Sequence, residues 1–434
     1  MNNNNRKAWV VAANMGYGHQ RAAYPLRGIA RERIISANNE SFIPEPEKKM
    51  WRQVRTLYEF VSRLSSAGRF GKFIFELYDR FQEISPFYPF RDLSKPDIRV
   101  WYTHRMIKQG LCKSLIDYVK KEDLPFVTTF FIPALAAEYW GLKRIYCIVT
   151  DTDITRSWVA MEPKKSNIVY LAPTEHTVKR LKEYGVPEKN IILTGFPLPK
   201  ENLGGRNFKT IRRDVGQRLP NLDTKKVYIN RHKGDIREYI KKNLKFKSNH
   251  TLTLTYVVGG AGAEKEIALS ILKSFKKKIL AGEIIINLVA GTRVDVTDYF
   301  KTVLKKLGMK EGEGVNVIFS FDIYHYFESF NKCLRTTDIL WTKPSELCFY
   351  TALGLPLILA PPIGAHEKYN ERWLVDINSG FPQEDPEYAD EWITDLLESG
   401  RLAEGAWEGF LETLPGGTYK IEEIIFKKEK PKQG

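Results

Sequence analysis

Short apolar runs alternate with longer amphipathic stretches along most of the 434-residue chain. The runs at 8–14, 125–131, 144–150, 167–172 and 190–195 read as buried strands, with helical spacing in the intervals. A second series follows at 251–258, 284–290, 315–321, 338–342 and 356–360. Strands apolar on both faces and separated by helices predict parallel sheets covered on each side, the doubly wound α/β arrangement. The length is too great for one ordinary core and suits two domains. The boundaries predicted are 1–203 for the first domain, 204–250 for a basic linker and the start of the second, and 251–434 for the remainder.

Composition narrows the class. A content of 43% apolar and 27% charged residues is that of a folded globular protein. The four cysteines show no CxxC or metal spacing, so reduced thiols are expected. No apolar run reaches the ~18 residues that span a bilayer, and the asparagine-rich start lacks the apolar core of a signal peptide, which predicts a cytoplasmic protein. The net charge of +15 is concentrated: residues 206–247 hold 14 Lys and Arg against four Asp and Glu. Such a segment is either a solvated interdomain stretch or an attractor for an anionic membrane surface. No helix-turn-helix, RRM or zinc pattern accompanies it, so no nucleic acid is expected. An insertion at 51–90 interleaves Phe and Tyr with Arg and Lys, and Phe70, Phe73, Ile74, Leu77 and Phe81 follow helical spacing. That helix either packs on its own sheet or lies in a membrane interface.

Three segments carry candidate chemistry. In Trp341–Asn370 the strand DILWTK ends in Lys343, Pro344 suits a first helical turn, Gly354 ends the helix, and the next strand follows. A loop at the carboxyl end of a parallel strand, with helix N–H groups beside it, suits an anion, although an ordinary βαβ unit has the same form. TLTLTYVV breaks into Gly259, Gly260, Ala261, Gly262 and Ala263 before a helix predicted over Glu264–Lys278. Glycines there allow positive φ and close approach to a diphosphate, while the spacing matches neither a dinucleotide fingerprint nor a P-loop. At the amino end, AWVVAAN leads into Gly16, Tyr17, Gly18 and His19. A histidine in that turn can face a cleft, cap the helix or hydrogen-bond a neighbouring loop.

In this order the motifs resemble those of GT-B glycosyltransferases, two doubly wound, Rossmann-like domains facing a central cleft. The resemblance is to the branch of monogalactosyl- and diglucosyl-diacylglycerol synthases and the peptidoglycan lipid-intermediate N-acetylglucosaminyltransferase. Gly16–His19 sits where that branch has Gly-Gly-His, Gly259–Ala263 at its glycine loop, and Thr342-Lys343-Pro344 at its Thr-Lys-Ala/Pro. Gly354-Leu355-Pro356 matches Gly-Leu-Pro, and Glu367 with Asn370 matches Gln-Glu-x-x-Asn. The stretches 147–159 and 167–199 agree as well, so the likeness spans most of the chain. Two positions depart from it: Tyr17 replaces a glycine, and Phe349 stands where the family's glutamate holds the donor ribose. Either Glu346, the nearest acid, takes over that grip, or the ribose is not held in this way.

The resemblance implies transfer of a sugar from a nucleotide-diphosphate sugar, UDP-sugar first, to an acceptor hydroxyl, with a lipid among the options, and without a metal or other cofactor. The donor would be held by Gly259–Ala263 and by Thr342, Lys343, Pro344, Ser345 and Glu346, with Glu367 and Asn370, opening the last helix, at the sugar hydroxyls. Glu367 could equally serve only the helix dipole. The acceptor side would comprise Gly16, Tyr17, Gly18, Asp153 and Trp158. His19 and Asp151 are the candidate bases, the imidazole because its ordinary pKa suits the task, Asp151 because it ends a strand. Trp158 could stack on a sugar or sit in the core. A lipid acceptor would place the protein peripherally on the inner face of a membrane. The competing functions are a catalytically silent binding member and a sugar-nucleotide 2-epimerase.

Overall fold

The structure, a computed structural model, describes residues 6–64, 84–240, 248–260 and 262–427. Its described strands form two six-stranded sheets. The first contains β1 (Trp9–Ala12), β2 (Ile35–Ser36), β3 (Phe126–Thr128), β4 (Ile145–Ile148), β5 (Ile168–Ala172) and β6 (Ile191–Leu193), in the order β2-β1-β3-β4-β5-β6. The second contains β7 (Leu252–Val257), β8 (Ile284–Gly291), β9 (Val315–Phe319), β10 (Ile339–Thr342), β11 (Leu357–Leu359) and β12 (Gly380–Pro382), in the order β12-β11-β10-β7-β8-β9. Every strand pairing is parallel. Each unit is therefore doubly wound and Rossmann-like, as the alternation of apolar runs predicts.

Burial on both faces explains why the strands read as continuous apolar runs. Trp9 and Val11 of β1 enter one core with Phe126 and Ile145, whereas Val10 and Ala12 enter another with Val127, Ile148 and Leu171. β2 and β12, of two and three residues, escaped the sequence pattern because such short edge strands have no measurable period. The helical spacing proposed from Phe70 to Phe81 lies outside the described residues.

The chain divides into two compact units along lines that differ from the sequence boundaries. One unit comprises Met1–Leu198, Ile363–Tyr369 and Gly416–Gly434; the other comprises Pro199–Pro362 and Asn370–Pro415. Residues 204–250, expected as a basic linker and the start of the second domain, carry helices Lys209–Leu222 and Val227–Ile240 of the second unit. Arg218 shows why they are fixed there. Its buried guanidinium donates to the carbonyls of Thr337, Leu353, Gly354 and Leu334. Asp214 pairs with Arg335, and the Asp223 carboxylate accepts from the amides of Val227 and Ile229. The charge of this segment is thus spent partly on buried hydrogen bonds, a use that composition does not reveal.

The carboxyl end is a second departure from a 251–434 domain. Helix Gly417–Ile425 sets Ile421 and Ile425 into the core that holds Val10, Val127 and Leu171 of the first unit. Thr418 Oγ1 donates to the Leu198 carbonyl at 2.5 Å, and a Cβ at Gly417 would collide with the Phe196 carbonyl. Ile421→Ala is expected to cost the first unit about 2–5 kcal/mol. Hydrogen exchange should show protection lost at β1 and β3 and kept at β7 and β8; loss confined to β7 and β8 would reverse this assignment.

Candidate functional site

In the first sheet the strand order reverses between β1 and β3, so the loops leaving these strands meet at one carboxyl edge. Gly16, at φ 117, turns the chain into helix Tyr17–Ala23, and Gly18 and His19 lie in its first turn. The half-buried His19 ring has Nδ1 2.8 Å from the Thr129 carbonyl, while Thr129 Oγ1 donates to the His19 carbonyl at 2.8 Å. A carbonyl only accepts, so Nδ1 carries the proton and the neutral ring has its lone pair on Nε2. Phe130 backs the ring at a centroid distance of 4.6 Å. Thr150 Oγ1, beyond β4, lies 3.4 Å from His19 Nδ1 and 3.4 Å from Asp151 Oδ2. The two candidate bases, His19 and Asp151, thus both lie beside Thr150.

Asp153 and Trp158 are placed otherwise. The Asp153 side chain is fully buried, with Arg180 Nε and one Arg180 terminal nitrogen at 2.7 and 2.8 Å and His176 Nε2 at 2.8 Å. Burial works against its ionisation, but the hydrogen bonds from His176 and Arg180 prevail and hold the carboxyl below its usual range. Its ligands are therefore the protein's own. Trp158 packs in the core, 5.3 Å from Phe131 and 6.3 Å from Phe130 between ring centroids, instead of offering a face to a sugar. The loop that carries it is pinned by Arg156, which donates to the carbonyls of Ser94, Val159 and Ala160. The available sequence signal for the Asp153 site was the i, i+4 pair His176 and Arg180 on helix Glu175–Glu183.

In the second sheet the order reverses between β10 and β7, which pair in register from Ile339↔Leu254 to Thr342↔Val257. The glycine loop after β7 and the Thr342–Glu346 loop after β10 consequently leave side by side. A Cβ at Gly259 would lie 3.6 Å from Lys343 Cε, and Gly259, Gly260, Gly262 and Ala263 are all half-buried. Ala261 lies outside the described residues. The Gly262 amide closes a turn on the Gly259 carbonyl at 2.8 Å, and Gly262 takes φ 74. Tyr256 Oη donates to the Glu264 carbonyl at 2.5 Å, holding the exit of the loop.

Both predicted helices here start differently. Instead of one helix over Glu264–Lys278, Glu264, at φ 66, prolongs the turn, and helices Ile267–Ser274 and Lys276–Leu280 follow, meeting at Phe275. Instead of an α-helix from Pro344, a 3₁₀ run spans Glu346–Leu353, with Ser345 before it and Leu347 to Leu353 all buried. Asn370 fastens this loop by donating from Nδ2 to the Pro344 carbonyl at 3.2 Å. Glu367 accepts from the Ile363 amide at 2.7 Å and closes the start of helix Ala365–Asp376. It also groups with the first unit, unlike Asn370. That helix is not the last: Ala389–Glu398, Arg401–Glu412 and Gly417–Ile425 follow.

Sequence reasoning missed Arg293, beyond β8. Its guanidinium lies against Gly262, with atoms 3.2–3.4 Å from where a Cβ would stand, and it grips Asp295 through two bonds of 2.9 Å. Lys265 Nζ is 3.8 Å from the same carboxylate. Three cations, Lys265, Arg293 and Lys343, thus border the glycine loop. Among the described residues no group of three or more His, Cys, Asp and Glu could hold a metal ion, and the four cysteines are free thiols, with Cys333 only half-buried.

A family described as a domain of unknown function (DUF6938) matches residues 292–419. The chain is 22% identical over 383 residues to a processive diacylglycerol beta-glucosyltransferase of Bacillus cytotoxicus, covering 84% of this chain and 79% of the relative. It is 25% identical over 252 residues to the Bacillus subtilis protein of that name, covering 58% and 53% respectively. Among solved structures, a UDP-GlcNAc 2-epimerase from Neisseria meningitidis bound to UDP-GlcNAc superposes with a TM-score of 0.47 at 15% identity, covering 97% of this chain and 100% of that one.

The Asp153 pair offers a test of what it does. Because its folded pKa is depressed, its contribution is present above the ordinary carboxylate pKa of ~4 and is lost as pH falls through the folded value. Asp153→Asn should therefore cost about 3–5 kcal/mol at pH 7, leaving Arg180 buried without its counter-charge. Urea unfolding should show that gap narrowing below pH ~4. A gap that stays constant would mean that ionisation of Asp153 is not what stabilises the fold.

Proposed function

We propose that this chain is a GT-B glycosyltransferase that moves a sugar from a nucleotide-diphosphate sugar, a UDP-sugar, to the hydroxyl of a lipid acceptor. The observation that carries the reading is the register pairing of β7 with β10, which sets the glycine loop beside Lys343 at the switch point of the second sheet. Supporting it are the names of the relatives, diacylglycerol glucosyltransferases at 22% and 25% identity. In this reading the acceptor oxygen bonds to the sugar's anomeric carbon as the bond to the diphosphate breaks. The electron pair leaves with UDP, stabilised by loop N–H groups and Lys343. The acceptor proton passes to His19 Nε2, and Asp151 acts through Thr150 to orient the ring.

A lipid acceptor is supported by one face of the first unit. Helix Ile98–Lys108 turns Val100, Thr103, Met106 and Ile107 inward and leaves Ile98, Trp101, Tyr102, Arg105 and Lys108 exposed. Just before it Phe90 is 74% exposed, with Arg91 and Lys95 exposed nearby. Aromatic rings among basic side chains suit the interface of an anionic bilayer. Among the described residues no helix is long and apolar enough to cross one. One observation favours a silent, binding-only member: Phe349 is buried, 5.5 Å from the Trp373 ring, at the family's ribose-binding position.

Calorimetric titration with UDP separates these readings. Wild type should bind, and Gly260→Val should weaken binding at least about tenfold by blocking approach to the diphosphate. Equal affinities would sink the donor assignment. With UDP-glucose and diacylglycerol, His19→Ala should lower turnover roughly 10²–10⁴-fold at unchanged UDP affinity, and Asp151→Asn should lower it less. UDP binding without any transfer would favour the silent member.

The membrane face is tested apart from chemistry. Trp101→Glu should reduce sedimentation with phosphatidylglycerol vesicles while leaving UDP affinity intact. Undiminished sedimentation would remove this helix from the membrane contact.

A further inference from the structure

Resting on the donor assignment above, we propose that Arg293 binds the donor diphosphate and that Asp295 stands in for that anion while the site is empty. The first support is position. Arg293 leaves the carboxyl edge of β8, the strand paired with β7, so its guanidinium reaches the glycine loop from the side opposite Lys343. The two cations come from loops on either side of the one that would hold the phosphates.

The second support is the fit between guanidinium and loop. Gly262 combines φ 74 with a missing Cβ that would stand 3.2 Å from an Arg293 terminal nitrogen. A side chain at 262 would have to adopt a strained backbone and also displace the guanidinium. Lying on the loop, the Arg293 fork is placed to share one anion with the loop's amides.

The third support is what the fork holds now. Asp295 meets it with both oxygens at 2.9 Å, the two-pronged geometry that a phosphate also satisfies. Lys265 approaches the same carboxylate. The pair is only partly shielded, with Arg293 37% and Asp295 51% exposed, so water screens it and exchange for a dianionic ligand is easy. Asp295 is also in the first turn of helix Val294–Leu307, where a carboxylate is favourable without the arginine. Releasing Arg293 therefore does not strand the acid.

The experiment compares binding of UDP and of uridine by calorimetry. Arg293→Gln should weaken UDP at least about tenfold, leave uridine unchanged and flatten the salt dependence of UDP binding. Arg293→Lys, which keeps the charge but not the fork, should fall between. Asp295→Asn should tighten UDP several-fold by removing the competing carboxylate. Equal UDP affinity in wild type and Arg293→Gln overturns the arginine's role, and unchanged or weakened affinity in Asp295→Asn overturns the stand-in. Failure of wild type to bind UDP at all refutes the donor assignment itself, a result distinct from either. Ligand-free unfolding midpoints equal to wild type verify that the variants are folded.

Discussion

The parallel, in-register pairing of β7 with β10 is the constraint on which the placing of the glycine loop beside the Thr342–Glu346 loop depends. Val257 and Thr342 stand opposite each other, so the chain cannot leave one strand without passing the loop that leaves the other. Because every strand in the sheet runs the same way, all such loops emerge at one edge, and because the order reverses once, two of them diverge there and leave a recess. Glycine is required where backbone and cation approach closely: Gly259 beside Lys343, Gly262 beneath Arg293. The first sheet repeats this logic between β1 and β3, where His19 is tied to Thr129 by reciprocal hydrogen bonds. In both units topology, not local sequence, brings the polar groups together.

Around these edges the buried charges hold loops in place. Arg156 collects carbonyls of the loop that carries Trp158, Arg180 neutralises Asp153, and Arg218 gathers four carbonyls beneath the second sheet's neighbouring helices. Removing such a group would strand its acceptors in a medium that cannot solvate them. The contrast between Asp151 and Asp153 follows from this. Two residues apart, one is half-buried at the sheet edge beside Thr150, and the other is sealed beneath with Arg180. A sequence displays both as acids after a strand; only packing tells the accessible one from the structural one.

What the sequence made legible was governed by period and length. The ten longer strands announced themselves because burial on both faces enforces continuous apolar runs, and their alternation with helices implied parallel sheets. β2 and β12 were too short to do so. The helices of 204–250 were hidden by charge, since Arg218 and Asp214 read as solvated when they are buried. The return of Ile421 and Ile425 to the first unit was hidden for another reason: an amphipathic helix states that it has a buried face but not against what. The turns Gly16–His19, Gly259–Ala263 and Thr342–Glu346 were legible as breaks after strands, whereas Thr129 and Arg293, which meet His19 and Gly262, lay far off in sequence with no pattern of their own.

The departure at Phe349 looks different once the helix type is known. In an α-helix, residues three apart are about 60° out of line, but in a 3₁₀ helix, with three residues per turn, they eclipse. Glu346 and Phe349 open and continue a 3₁₀ run, so they share one face, with Glu346 a turn closer to the end of β10. At a rise of about 2.0 Å per residue the separation along the axis is about 6 Å. Glu346 and Phe349 therefore address the same side of the loop. The buried phenylalanine then packs against Trp373 and fixes the turn on which Glu346 stands. Phe349 thus serves the packing of this loop, and the acid at 346 stands one turn before it on the same face.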